Sequence, residues 1–92
     1  MKEINNKKQN LYKAITLLKN KKEVECFLRD LCTVSEIDLM SERLSIAMKL
    51  RDKLSYRRIA KESGSSTATI TRVAHWLHHG LGGYVLVLKK LK

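Results

Sequence analysis

Proline is absent from this 92-residue chain, and a single glycine, Gly64, precedes the three at positions 80, 82 and 83. Little before residue 80 would break a helix, so the composition favours helix throughout. Cysteine is limited to Cys26 and Cys32, six residues apart in apolar context and without a Cys-x-x-Cys pattern. Two buried free thiols in a reducing compartment are expected, rather than a disulfide. No apolar run approaches the ~20 residues of a membrane span, and the N-terminus has no apolar signal core. The expected location is therefore the cytoplasm, with no membrane partner. No nucleophile–base pair, paired-carboxylate set or phosphate-cradling glycine loop is visible, so the sequence gives no support for an enzyme. Gly80-Leu81-Gly82-Gly83 follows a helical pattern and reads as a helix breaker.

Acidic residues also run out along the chain. Residues 1–46 hold nine Lys/Arg and seven Asp/Glu, whereas residues 47–92 hold ten Lys/Arg and only Asp52 and Glu62. The net charge of +10 is thus concentrated in the second half. A one-sided basic surface is the electrostatic footprint of a nucleic-acid binder, with double-stranded DNA the expected partner. An anionic lipid surface is the rival, but the basic helices lack the one-sided bulky apolar face of an interfacial anchor.

Residues 1–10 are polar and expected to be frayed, leaving residues 11–92 as a single helical domain. Leu11, Ile15 and Leu18 recur at helical spacing, and Asn20-Lys21-Lys22 interrupts them. Val24, Phe27, Leu28 and Leu31 form the apolar stripe of a second helix. Thr33 and Glu36 have the spacing of a capping box at the start of a third, with Cys32 and Ile37 at the positions of a hydrophobic staple. That helix is expected to reach about Lys53, with Ile37, Met40, Leu44, Ala47, Met48 and Leu50 on its apolar stripe and Leu39 and Ile46 off it. Apolar residues on more than one face need more cover than a chain this short supplies, which points to a dimer.

The segment from Ser55 to Leu77 carries the most information. Ser55 can cap a short helix, Gly64 can take positive φ and end it, and a second helix follows from Ser66. Ile59, Ile70 and Val73 would hold the pair together, and Ala60 is small where the two must cross. Together these landmarks describe a helix-turn-helix. The second helix opens with Ser66, Thr67, Ala68, Thr69 and Thr71, small side chains that fit a major groove. These five are the candidate base-reading residues. Tyr56, Arg57, Arg58 and Lys61 on the first helix are the candidate phosphate contacts. The plainer alternative is an ordinary helical corner with a solvated Ser/Thr run; the surrounding charge weighs against it. Tyr84–Leu88 has strand propensity but nothing to pair with, so the tail is expected to be helical.

From about Phe27 to Leu77 the chain resembles the tryptophan repressor family. The likeness rests on Leu31-Cys32-Thr33-Val34-Ser35-Glu36, on Glu42-Arg43-Leu44-Ser45-Ile46, and most specifically on Ala68-Thr69-Ile70-Thr71-Arg72. Chain length and basicity look closest to its YerC/YecD branch. The resemblance implies an all-α, intertwined homodimer that binds operator DNA and represses transcription. It also implies a corepressor pocket at Thr33, Arg43 and Arg72, the two arginines being those that hold tryptophan in the family. Two departures stand against L-tryptophan here. The position after Arg72 is a glycine in the tryptophan-binding members and is Val73 here, and a small hydroxyl position is Trp76. Val73 and a buried Trp76 are expected to fill the space, leaving no identified small-molecule cofactor. His75, His78 and His79 share a helical face but lack a nearby Cys, Asp or Glu, so no metal site is expected.

Overall fold

The computed structural model describes the backbone of residues 2–91 and the side chains of residues 6–91. Among the described residues there are six helices and no strand. The chain divides into two compact units, one ending at Ile37 and one starting at Asp38.

The first unit contains α1 (Lys2–Thr16), α2 (Lys21–Leu31) and the opening of α3 (Val34–Arg51). Helix α1 reaches back across the polar segment expected to be frayed. Lys, Glu and Gln are good helix formers, and neither proline nor glycine interrupts them. Asn20 caps α2 rather than merely interrupting: its side-chain oxygen accepts from the Glu23 backbone N–H at 2.9 Å, and Glu23 in turn accepts from the Lys19 N–H at 2.9 Å. The capping box at α3 is present as read from sequence. Thr33 N–H donates to Glu36 Oε1 at 2.8 Å, and Glu36 N–H donates to Thr33 Oγ1 at 3.1 Å. No residue of α2 is buried. Cys26 is accordingly exposed and Cys32 half-buried, both as free thiols, which corrects the expectation of two buried ones.

The second unit holds the rest of α3, then α4 (Tyr56–Ser63), α5 (Thr67–His79) and α6 (Gly83–Lys90). Its core is Ile46, Ala47, Ile59, Ile70, Val73 and Leu88, ringed by Leu44, Met48, Leu50, Leu54, Ala60, Leu77 and Tyr84. Ile46, read from sequence as off the stripe, is fully buried, while Met40, read as on it, is 42% exposed. The reason is that α4, α5 and α6 supply core partners to the C-terminal half of α3, so Ile46 and Ala47 define its buried face.

Helix α3 stops at Arg51 because Lys53 adopts φ 64°. Leu54 N–H reaches back to Lys49 O at 3.1 Å and Lys53 N–H to Leu50 O at 3.0 Å, the paired bonds of a Schellman turn. Ser55 caps α4 by accepting from Arg58 N–H at 3.1 Å, and Gly64 ends it at φ 73°. Gly80 closes α5 for a different reason: a Cβ there would stand 2.4 Å from the Trp76 carbonyl oxygen. The tail is helical, as expected. Its last carbonyls are held by Arg51, whose Nη1 donates to Leu88 O at 2.9 Å and to Leu91 O at 3.3 Å. A cation at a helix C-terminus also complements the helix dipole.

Two stability outcomes follow from this geometry. Lys53→Gly relieves a left-handed backbone position and should raise the unfolding free energy by about 0.5–1 kcal/mol in urea titration. Ile59→Ala empties a fully buried site and should lower it by about 2–5 kcal/mol.

Candidate nucleic-acid interface

Helix α5 presents its opening residues on two sides. Ile70, Val73 and Ala74 face the core. At 3.6 residues per turn Ala68 and Arg72 lie opposite that face and Thr71 to one side of it, while Thr67, three residues before Ile70, is open because it stands in the first turn; all four are exposed. Ser66 is the N-cap: its hydroxyl accepts from Thr69 N–H at 3.2 Å and lies 3.1 Å from Thr69 Oγ1. Of the five base-reading candidates, then, Thr67, Ala68 and Thr71 project openly. Ser66 and Thr69 are engaged with each other, and Thr69 is half-buried. The turn before α5 is tied to α3 by Ser65, whose hydroxyl donates to Glu42 Oε1 at 2.6 Å.

On α4, Tyr56 is 44% exposed, and Arg57, Arg58 and Lys61 are all exposed. Arg57 and Lys61 lie one turn apart on one face, without an acidic partner among the described ion pairs. Arg58 differs. Its Nε donates to Glu62 Oε2 at 2.8 Å, and Lys49 of α3 stands 3.5 Å from the other oxygen. The Arg58 hydrogen bond and charge, aided by Lys49, hold the Glu62 carboxyl below the usual glutamate range, against an opposing push from partial burial. Arg58 is therefore paired with an acid of its own helix, while Arg57 and Lys61 keep their charge for an outside anion.

Beside this face, α3, α5 and α6 enclose a cavity of about 340 Å³. Arg43, Arg72, Val73 and Trp76 line it, together with Leu39, Glu42, Thr69 and Tyr84. Four of the five expected pocket residues are thus brought together. Thr33 is not among the lining residues; its hydroxyl caps α3. Trp76 does not plug the space as expected, because it is 56% exposed and forms an open wall, whereas Val73 is buried at 3% exposure. Leu39 and Glu42 were findable from sequence, since they sit one turn and one residue before Arg43. Tyr84 carried no such signal, because its approach depends on how α6 folds back.

Among the described residues, no group of three or more His, Cys, Asp or Glu stands together as a metal site. No described helix is long and apolar enough to cross a membrane.

Comparison with known proteins agrees with this geometry. The family model for the Trp repressor protein matches residues 6–92. The chain belongs to the Trp repressor family. YerC, an uncharacterized protein of Bacillus subtilis strain 168, is 40% identical over 82 residues, covering 89% of this chain and 79% of YerC. A TrpR-like protein from Eubacterium eligens ATCC 27750 superposes with a TM-score of 0.84 at 41% identity, over 90% of this chain and 86% of that one. A crystal structure from Staphylococcus aureus, described as a candidate Trp repressor, gives 0.84 and 41% over 90% and 83%. This Trp repressor family member therefore falls in the YerC branch, as its length and basicity implied, and it is a DNA-binding regulator in general kind.

The Glu62 cluster gives a pH-dependent outcome. Because its carboxyl is held low in the folded chain, the stability it contributes is complete at neutral pH. That contribution is lost as pH falls through the ordinary glutamate range and then through the lowered native value. Urea unfolding between neutral pH and pH ~3 should show a smaller acid loss in Glu62→Gln than in the parent chain.

Proposed function

We propose that this protein is a sequence-specific transcription regulator, acting as a homodimeric repressor in the cytoplasm and having no enzymatic activity. The observation that carries the proposal is the exposed Thr67–Ala68–Thr71 face of α5, set beside Arg57 and Lys61 on α4. Small hydroxyl and methyl groups can enter a major groove and meet base edges and thymine methyls. The two cations can fix the register on phosphates. None of the outward residues at 67, 68 and 71 is Arg, Asn or Gln, so bidentate base contacts are few. Part of the specificity then comes from DNA shape and bridging water. Binding should weaken steeply with salt, since phosphate neutralisation releases counterions.

Dimerisation is supported by apolar side chains left open in the single chain. Ile15, Leu31, Leu39, Met40 and Leu86 are between 42% and 58% exposed, more than a lone domain of this size needs to leave in water. For the cavity, the proposal is an anionic small molecule or phosphate held by Arg43 and Arg72, and not L-tryptophan. Val73 takes the room that a glycine would leave.

Selection of binding sites from random duplex DNA at near-physiological salt, without added ligand, tests the reading. The expected product is a palindromic consensus with half-sites ~34 Å apart. Thr71→Ala should then alter the preferred sequence, while Arg57→Ala should weaken binding to every sequence. Absence of a consensus, with Thr71→Ala neutral, would instead favour an architectural DNA-binding protein.

A further inference from the structure

The last two turns of α5 carry His75, His78 and His79, which the DNA-binding reading leaves unused. His75 and His79 are one turn apart and both exposed, with ring centroids 5.1 Å apart and planes inclined at 40°. His78 diverges from that pair: its ring lies 6.5 Å from His79, and it lines a separate groove with Leu50 and Leu88.

We infer that His75 and His79 form a two-nitrogen site for a late first-row divalent ion, of the nickel, copper or zinc class. An imidazole nitrogen binds such an ion at ~2.0–2.1 Å. Adding the distance from nitrogen to ring centre, two imidazoles on neighbouring positions of a tetrahedral ion place their centroids about 5 Å apart. The observed 5.1 Å meets that requirement with both histidines on an unbroken helix. Rotation of the two exposed side chains can then turn one nitrogen of each ring to the same ion, and water fills the remaining coordination positions on the exposed side.

Three further observations define the ion. Among the described residues no Asp, Glu or Cys makes a group of three with the pair, so the protein's own ligands are two imidazole nitrogens. Imidazole donors disfavour hard cations such as magnesium and calcium, which take oxygen ligands. The site lies at the C-terminal end of α5, where exposed carbonyls give the helix its negative pole and a bound cation is favoured. Bridging one turn to the next also fastens the end of the helix. Finally, His75 packs edge-on against Trp76, with centroids 5.2 Å apart at 84°. Trp76 is the single tryptophan of the chain, so it reports directly on the site.

The experiment uses the full-length chain without a histidine tag, titrated with NiCl₂ and followed by Trp76 fluorescence and thermal unfolding. The expected result is saturable quenching at one ion per chain and a rise in the unfolding midpoint. Both should be lost in His75→Ala and in His79→Ala, kept in His78→Ala, and unaffected by millimolar magnesium. All three histidines are exposed, so circular dichroism should show the parent helicity in each variant. Non-saturating quenching, a response that survives His75→Ala or His79→Ala, or one abolished by alkylating Cys26 and Cys32 would each overturn the assignment. None of these readouts involves DNA, so the site stands or falls separately from the regulator reading.

Discussion

Ile46, Ile59 and Ile70 have no exposed surface at all, and each comes from a different helix. Their mutual burial is the constraint on which the rest of the second unit depends. It removes three β-branched apolar side chains from water and fixes α4 and α5 against α3. Once Ile70 points inward, helical geometry turns Ala68 away from the core and Thr71 to its side, and Thr67 stays open in the first turn of the helix. The presentation of a readable face is thus a consequence of core packing. The polar ties reinforce the same arrangement: Ser65 to Glu42 holds the turn to α3, and Glu62 gathers Lys49 and Arg58 from two helices.

Electrostatics add a second layer. The segment from Lys53 to the C-terminus has a single carboxylate side chain, Glu62, and that one is already engaged by two cations. The field outside α4 and α5 is therefore set by Arg57, Lys61 and Arg72, which face water with no local acid among the described ion pairs to offset them. A charge arrangement of this kind attracts a polyanion and says little about its sequence. Sequence choice falls to the uncharged residues beside them.

Much of this was legible in the sequence, because it rests on local chemistry. Thr33 with Glu36, Ser55, Gly64 and Ser66 announce helix ends through side chains that bond within three or four residues of themselves. Ile59, Ile70 and Val73 were likewise identifiable as the inner face of the helix-turn-helix. The failures share a cause in tertiary packing. Ile46 looked misplaced because the face of α3 that is buried depends on where three later helices land. Trp76 was expected to fill the cavity by size, yet its direction places it at the rim. Lys53 gave no warning of its left-handed backbone, which the Schellman turn imposes on a residue type that seldom adopts it.

The claim that the exposed face of α5, flanked by α4, meets DNA is tested most directly by residue-resolved NMR. Backbone amide shifts of the isotope-labelled chain would be followed on addition of a short mixed-sequence duplex at low salt, where even non-specific binding is strong. The account predicts that perturbations concentrate at Arg57, Lys61 and residues 66–72, fade as salt rises, and leave α1 and α2 largely unmoved. Perturbations centred on α1 or α6, with Thr67, Ala68 and Thr71 undisturbed, would contradict it.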